Sequence, residues 1–269
     1  MEAGNLRRRE VIVKYKSLAP LYDRLMSHVE YDQWLALIQR ITEKYIDIRS
    51  PSILEIGGGT GVLGSMLAKY GFNYTGSDLS FSMCRESQRR NLPVFCADAR
   101  IMPVKRTFDL IIFLYDGINY LQSAAEYNRA FNEVARILIP GGLFLFDITT
   151  EANSMRHFTD YLDFDDYGDY CFVRHSYYNE ETTTQHNDFT IFSESSHIPG
   201  LYEKSKEKHV QKVFPVKYIE EAIPRSLLGV VGIWDGFTFK KYSSRSERIH
   251  FLLRKNSRHD PVLPRHKGI

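Results

Sequence analysis

The sequence predicts an α/β fold: a doubly wound, mostly parallel seven-stranded sheet with an inserted antiparallel β lobe. Three observations predict it. First, Ser52-Ile53-Leu54-Glu55-Ile56 is followed by Gly57-Gly58-Gly59-Thr60-Gly61 and then by Leu63, Met66, Leu67 and Tyr70 at helical spacing. That order reads as buried strand, glycine turn and helix. Second, short apolar runs and helical stripes keep alternating as far as Ile148, the signature of strands joined by crossover helices. Third, the alternation stops between about Thr149 and Phe214, where polar, tyrosine-rich stretches of period two take over, and strand-like runs return at 230–239 and 248–254.

In chain order, residues from about 6 to 48 read as helical, with Trp34, Leu37, Ile38, Ile41 and Tyr45 as an apolar stripe and a loop signal at Ala19-Pro20. This stretch, taken as residues 1–50, is expected to cap the sheet, and it carries Tyr15, Tyr22 and Asp23. Arg7-Arg8-Arg9 reads as its solvated face, since no apolar segment follows to make a signal peptide. Strand one ends at Ile56, strand two covers 72–77 and runs into Asp78, and a helix starts near Ser80. Strand three covers 93–98. Strand four, 108–115, is apolar throughout, as a strand buried on both faces must be. Ser123-x-x-Glu126 is a capping box that opens a helix with Tyr127, Ala130, Phe131, Val134 and Leu138 on one face, and Pro140-Gly141-Gly142 stops it before strand five at 143–148. The lobe, 149–214, holds strands near 170–178 and 182–192 joined by a turn at Asn179-Glu180-Glu181; a short helix at 215–223 then leads back to the sheet. The α/β domain thus comprises 51–148 and 215–254, and 255–269 is a basic, proline-containing tail expected to be disordered.

Composition excludes several classes. The 269 residues carry 35 basic and 33 acidic side chains for a net charge of +2, a balance without the basic excess of nucleic-acid or membrane-surface binders. The apolar run at 110–115 is far too short to cross a bilayer. Cys84, Cys96 and Cys171 are odd in number and form no C-x-x-C pair, so neither a disulfide framework nor a zinc site is indicated, and a reducing, cytoplasmic setting is expected. The 17 Tyr and 17 Phe residues suit a sheet core and equally a stacked, partly apolar ligand pocket.

In an open parallel sheet, ligands bind beyond the carboxyl ends of the strands. Polar residues fall at four successive strand ends: Glu55 with the glycines, Asp78, Asp98, and Tyr115-Asp116-Gly117. The segment Gly59-Thr60-Gly61-Val62-Leu63-Gly64 also satisfies the dinucleotide pattern G-x-G-x-x-G, which on its own admits a nicotinamide or flavin site. The fuller pattern Glu55-x-Gly57-x-Gly59-x-Gly61, Asp78, Ala97-Asp98-Ala99 and Phe108-Asp109-Leu110-Ile111 leading to Asp116-x-x-Asn119-Tyr120-Leu121 resembles the class I S-adenosylmethionine-dependent methyltransferases. Leu18-Ala19-Pro20-Leu21-Tyr22-Asp23-Arg24-Leu25-Met26 and Ser246-Glu247-Arg248-Ile249 resemble a bacterial small-molecule-type group among them. Glu55 and Gly58 depart from the Asp and the Cys or Ala found in many relatives.

The resemblance, covering about 15–255, implies cofactor-binding roles. Glu55, Gly57, Gly58, Gly59 and Gly61 would approach the methionine part of S-adenosylmethionine, and Asp78 would accept from the ribose hydroxyls. Leu79 and Met83 would flank the adenine, with Asp98 at its amino group and the Ala99 N–H at a ring nitrogen. Leu114 and Tyr115 would lie beside the sulfonium, and Tyr15 and Tyr22 would close over it. The implied reaction is methyl transfer to a small-molecule acceptor, with S-adenosylhomocysteine as product and no metal. If the acceptor is a hydroxyl or ammonium a base is needed; Glu207, His209 and His175 are candidates, none of them assigned as catalytic. The alternatives are a nucleic-acid methyltransferase, opposed by Tyr115-Asp116-Gly117-Ile118 where base-amino methylation requires an Asn/Asp-Pro-Pro-aromatic motif, an NAD-dependent oxidoreductase, and a silent cofactor-binding scaffold.

Overall fold

The computed structural model describes residues 15–257. The expectations for Arg7-Arg8-Arg9, for helix before residue 15 and for the tail beyond residue 257 lie outside the described residues. Among those residues, β1 (Ser52–Ile56), β2 (Asn73–Asp78), β3 (Val94–Cys96), β4 (Phe108–Phe113), β5 (Leu138–Thr149), β10 (Leu228–Asp235) and β11 (Arg248–Lys255) form one sheet in the order β10-β11-β5-β4-β1-β2-β3. The strands from β5 to β3 pair in parallel, and β11 runs antiparallel to both its neighbours. Four further strands, β6 (Asp160–Asp166), β7 (Tyr170–Asn179), β8 (Thr184–Glu194) and β9 (Tyr202–Lys212), make a separate antiparallel meander.

The large sheet is covered on both faces. On one side α5 (Ala124–Ile137) and α7 (Val216–Ala222) bury Tyr127, Phe131, Val134 and Ile219 against Phe144, Phe146 and Phe251. On the other, Trp34, Leu37, Ile38 and Ile41 of α2 (Tyr31–Tyr45) and Leu63 and Leu67 of α3 (Val62–Tyr70) pack on Ile53, Leu110 and Leu145. A third cluster joins the N-terminal segment to the meander: Leu18, Leu21 and Leu25 lie against Phe172, Phe189 and Ile191. The cap is therefore held by the lobe through apolar burial as well as by the sheet.

Four local expectations need correction. Ala19-Pro20 does not break the N-terminal helix; Ala19–Leu21 forms a 3₁₀ turn with proline in its first turn, where the missing N–H costs nothing, and runs straight into α1 (Tyr22–Leu25). The interruption falls between α1 and α2 instead. Helix α5 stops at Ile137, and Leu138, expected on its apolar face, already pairs with Phe108 as the start of β5. Pro140 and Gly141 (φ +77°) are carried within the strand as an irregularity in register. Strand β4 ends at Phe113, because Tyr115 and Asp116 adopt left-handed backbone conformations (φ 61° and 51°) that turn the chain out of extended strand geometry. Finally, the lobe opens with helix α6 (Glu151–His157), whose N–H of Asn153 donates to the Thr150 hydroxyl (3.3 Å), a cap hidden in a stretch read as strands. Ser123 caps α5 as expected, Glu126 N–H donating to Ser123 Oγ at 3.3 Å, but the Glu126 carboxylate accepts from Gln122 N–H at 2.7 Å rather than from Ser123 N–H as a capping box requires.

Candidate functional site

The glycines after β1 serve different purposes. Gly57, Gly59 and Gly61 all have positive φ, so the chain can reverse within one short loop. A Cβ at Gly59 would meet nothing within 4 Å, so this part of the loop borders open space. At Gly61 it would strike Ser87 Oγ (2.5 Å) and Leu92 Cδ1 (2.7 Å); that glycine permits packing against α4 (Phe81–Gln88). Asp78, at the end of β2, links the loop to the next helix: Gly59 N–H donates to its Oδ2 (3.0 Å) and Ser80 N–H to its Oδ1 (2.7 Å). Burial pushes the Asp78 carboxyl up to about 6, against the pull of those backbone donors.

Beside this loop lies a cavity of about 310 Å³. The structure brings Tyr15, Tyr22, Gly57 and Gly59 to one wall, and Asp78, Leu79 and Met83 to another. Asp98 and Ala99, after β3, and Leu114 and Tyr115, after β4, complete the set. Of the residues expected to bind the cofactor, Glu55, Gly58 and Gly61 are not in this lining. Glu55 and Gly58 edge a smaller hollow of about 60 Å³ between the loop and Tyr22, Tyr31 and Trp34. The Glu55 carboxylate accepts a hydrogen bond from Tyr74 Oη (2.6 Å); burial raises its pKa to about 7, the tyrosine bond opposing the shift. Gly61 lines neither space.

The cap is latched to the glycine loop. Asp23 accepts from the Thr60 hydroxyl and from Arg90, whose Nε also donates to the Thr60 carbonyl (2.9 Å). Across the cavity, Asp98 is clasped by Arg100, which donates from Nε to Oδ1 (2.9 Å) and also reaches Glu126. Burial works against the Asp98 charge, but the Arg100 guanidinium and N–H outweigh it and hold the carboxyl below its usual range.

Behind Tyr115 sits a buried ion network. Arg248 bridges Asp116 (2.9 Å) and Asp147, and Gln211 Nε2 donates to Asp116 Oδ2 (2.6 Å). The Arg248 guanidinium also lies 5.0 Å from the Tyr115 ring centre. Burial drives both carboxyls upward and the shared arginine draws them back. Asn119 pins this turn, accepting from Thr149 N–H (3.1 Å) and donating to the Lys212 carbonyl (2.9 Å).

Of the candidate bases, His175 is remote: it bonds Asp160 (2.7 Å) at the exposed edge of the meander. Glu207 and His209, on β9, lie behind the cavity-lining Tyr15 and Tyr120. Tyr15 Oη and Tyr120 Oη are 2.6 Å apart, and Tyr120 Oη is 3.3 Å from His209 Nδ1. The Glu207 Oε1 accepts from Ser17 N–H and from Leu18 N–H (3.1 Å). Tyr120, Arg100 and Glu126, all lining the cavity, were missed as site residues. For Tyr120 the signal was present in the run from Asp116 to Leu121; Arg100 and Glu126 had only the ordinary look of a loop arginine and a helix cap.

The strand order, the glycine loop and the carboxylates at successive strand ends define the class I S-adenosylmethionine-dependent methyltransferase fold. Within this chain, residues 53–142 match the methyltransferase domain family. Over 251 residues, 90% of this chain and 97% of the other, it is 28% identical to "Putative methyltransferase YqeM" of Bacillus subtilis (strain 168). Among solved structures it is similar to an S-adenosylmethionine-dependent methyltransferase from Clostridium acetobutylicum ATCC 824, with a TM-score of 0.75, 22% identity, and coverage of 90% of this chain and 99% of that one. It is similar also to the sugar N-methyltransferase KedS8 from Streptoalloteichus sp ATCC 53650, with a TM-score of 0.74, 18% identity, and coverage of 96% and 99%. Among the described residues no helix is long and apolar enough to cross a membrane, and no group of three or more His, Cys, Asp or Glu side chains could hold a metal ion.

Proposed function

We propose that this chain transfers a methyl group from S-adenosylmethionine to a small-molecule acceptor that enters between the N-terminal cap and the antiparallel lobe. The observation that carries the reading is the cavity itself, bounded by the ends of β1, β2, β3 and β4 with Asp78 bound to the glycine loop. Its volume suits a nucleoside with a short side arm. Asp78 keeps lone pairs for two ribose hydroxyls beyond the backbone donors it already binds. Leu79 and Met83 offer apolar contact for an adenine, Asp98 can accept from its amino group, and the rim at Gly59 leaves room for close approach. Tyr15, Tyr22 and Tyr115 supply aromatic rings of the kind that attract a sulfonium. Glu55, Gly58 and Gly61 act from behind the loop and shape it, and the smaller hollow that Glu55 and Gly58 border with Trp34 would take the methionine end.

When bound, S-adenosylmethionine supplies an electrophilic methyl carbon on a positively charged sulfur. The protein's remaining task is to orient the acceptor and exclude water, a contribution worth roughly 7–11 kcal/mol in well-aligned systems. The small-molecule class draws support from the sugar N-methyltransferase among the structural neighbours and from the near-neutral charge balance, which opposes a nucleic-acid partner. Calorimetric titration of the protein with S-adenosylhomocysteine, with NADH as control, tests the cofactor. Saturable binding of the first and none of the second is expected; the reverse would assign the chain to the dinucleotide enzymes.

A further inference from the structure

The Tyr15–Tyr120–His209–Glu207 chain is unusual in joining the three parts of the molecule that enclose the cavity. Tyr15 comes from the N-terminal turn, Tyr120 from the 3₁₀ segment after β4, and His209 and Glu207 from β9 of the lobe. Tyr15 and Tyr120 line the cavity, whereas His209 (2% exposed) and Glu207 (8%) lie behind them. His209 Nε2 and Glu207 Oε2 stand 3.4 Å apart. Both are buried, and neither has a hydrogen-bond partner among the described residues. Two orphaned polar atoms facing each other account for one another.

Polarity follows from the donor and acceptor inventory. A carboxylate only accepts, so the proton of a neutral His209 belongs on Nε2, pointing at Glu207. Nδ1 is then an acceptor, and the Tyr120 hydroxyl donates to it. With its own hydrogen bond given to His209, Tyr120 accepts from Tyr15, a cavity-lining residue whose oxygen keeps lone pairs to accept a further proton. We propose that this chain is a proton relay, with Tyr15 and Tyr120 meeting the acceptor's proton and His209 as the terminal base held by Glu207. The proposal rests on the methyl-transfer reading and narrows it to acceptors that must lose a proton, a hydroxyl or an ammonium.

When the acceptor is a hydroxyl, its proton moves to Tyr15 Oη, the Tyr15 proton to Tyr120 Oη, and the Tyr120 proton to His209 Nδ1. The acceptor lone pair forms the bond to the methyl carbon while the C–S pair stays on sulfur, so one positive charge leaves sulfur and one arrives on the imidazole. An ammonium acceptor loses its proton along the same route before its lone pair attacks. Burial raises both tyrosine pKa values far above neutrality, with the neighbouring phenol and the carboxylates Asp78 and Asp116 acting on them, so the phenols pass protons without holding a charge. The titratable groups facing His209 are Tyr15, Tyr120 and Glu207; β8 presents the Phe189 ring at 5.8 Å.

A purely structural account also exists for Glu207, because its Oε1 ties down Ser17 and Leu18. Glu207→Gln separates the two. The amide keeps a carbonyl oxygen for those N–H groups, but turns an N–H toward His209 Nε2. Nitrogen-15 spectra of histidine-labelled protein saturated with S-adenosylhomocysteine, with the His209 signals identified through His209→Asn, read the tautomer directly. The relay requires Nε2–H in the parent protein and in Tyr120→Phe, and a switch to Nδ1–H in Glu207→Gln. An Nδ1–H tautomer in the parent protein, or no switch in Glu207→Gln, would overturn the relay alone. Failure of the parent protein to bind S-adenosylhomocysteine would overturn the cofactor reading, and the relay with it.

Discussion

The two sheets of this molecule are built on different terms. In the seven-stranded sheet, Phe144, Leu145 and Phe146 of β5 are buried on both faces, as are Leu110, Ile111 and Ile112 of β4. In the four-stranded meander, the edge strand β6 leaves Leu162 at 64% and Phe164 at 74% exposure, and the buried face closes on the N-terminal segment through Leu18, Leu21 and Leu25. The first sheet is a rigid platform whose strand ends hold a constellation; the second is a partner surface whose function depends on what it touches.

The comparison can be broken by substitution. Phe146 stacks on Phe251 at 4.6 Å between ring centres in the fully packed layer. Phe146→Ala is expected to destabilise by about 3–5 kcal/mol, measured by denaturant unfolding. Phe164→Ala, on the open edge, should change stability by no more than about 0.5 kcal/mol in the same assay. Equal losses at the two sites would mean that the meander is as tightly packed as the platform. Between these extremes lies a pH effect on the ligand. Asp78 has a folded-state pKa of about 6, above its ordinary value of 3.8, so its carboxylate form is lost as pH falls through about 6. If that form binds the ribose hydroxyls, affinity for S-adenosylhomocysteine falls with it, by roughly tenfold between pH 7 and pH 5. A flat profile by titration calorimetry would remove the carboxylate's charge from the binding reaction.

The same contrast explains what the sequence revealed. Asp78, Asp98 and the glycines are legible because each sits at the end of its own strand, within a few residues of the pattern that announces it. Glu55, Gly58 and Gly61 are legible as part of the strand and glycine turn, but the sequence does not show which of them border the cavity; Tyr74 and Ser87, which decide that, come from other elements. Glu207 acts on Ser17 across 190 positions and Arg248 on Asp116 across 132. No local periodicity encodes such pairs. The left-handed turn at Tyr115 and Asp116 is hidden by the apolar run before it: aspartate tolerates a positive φ, but a tyrosine rarely adopts one.

The most direct measurement is the dissociation constant of S-adenosylhomocysteine for Asp78→Ala beside that of the parent protein, by calorimetry at pH 7. The account predicts weakening of at least about tenfold, roughly 1.4 kcal/mol, with the fold intact by circular dichroism. An unchanged constant would contradict it, because the carboxylate that joins the glycine loop to the second strand would then have no part in holding the nucleoside.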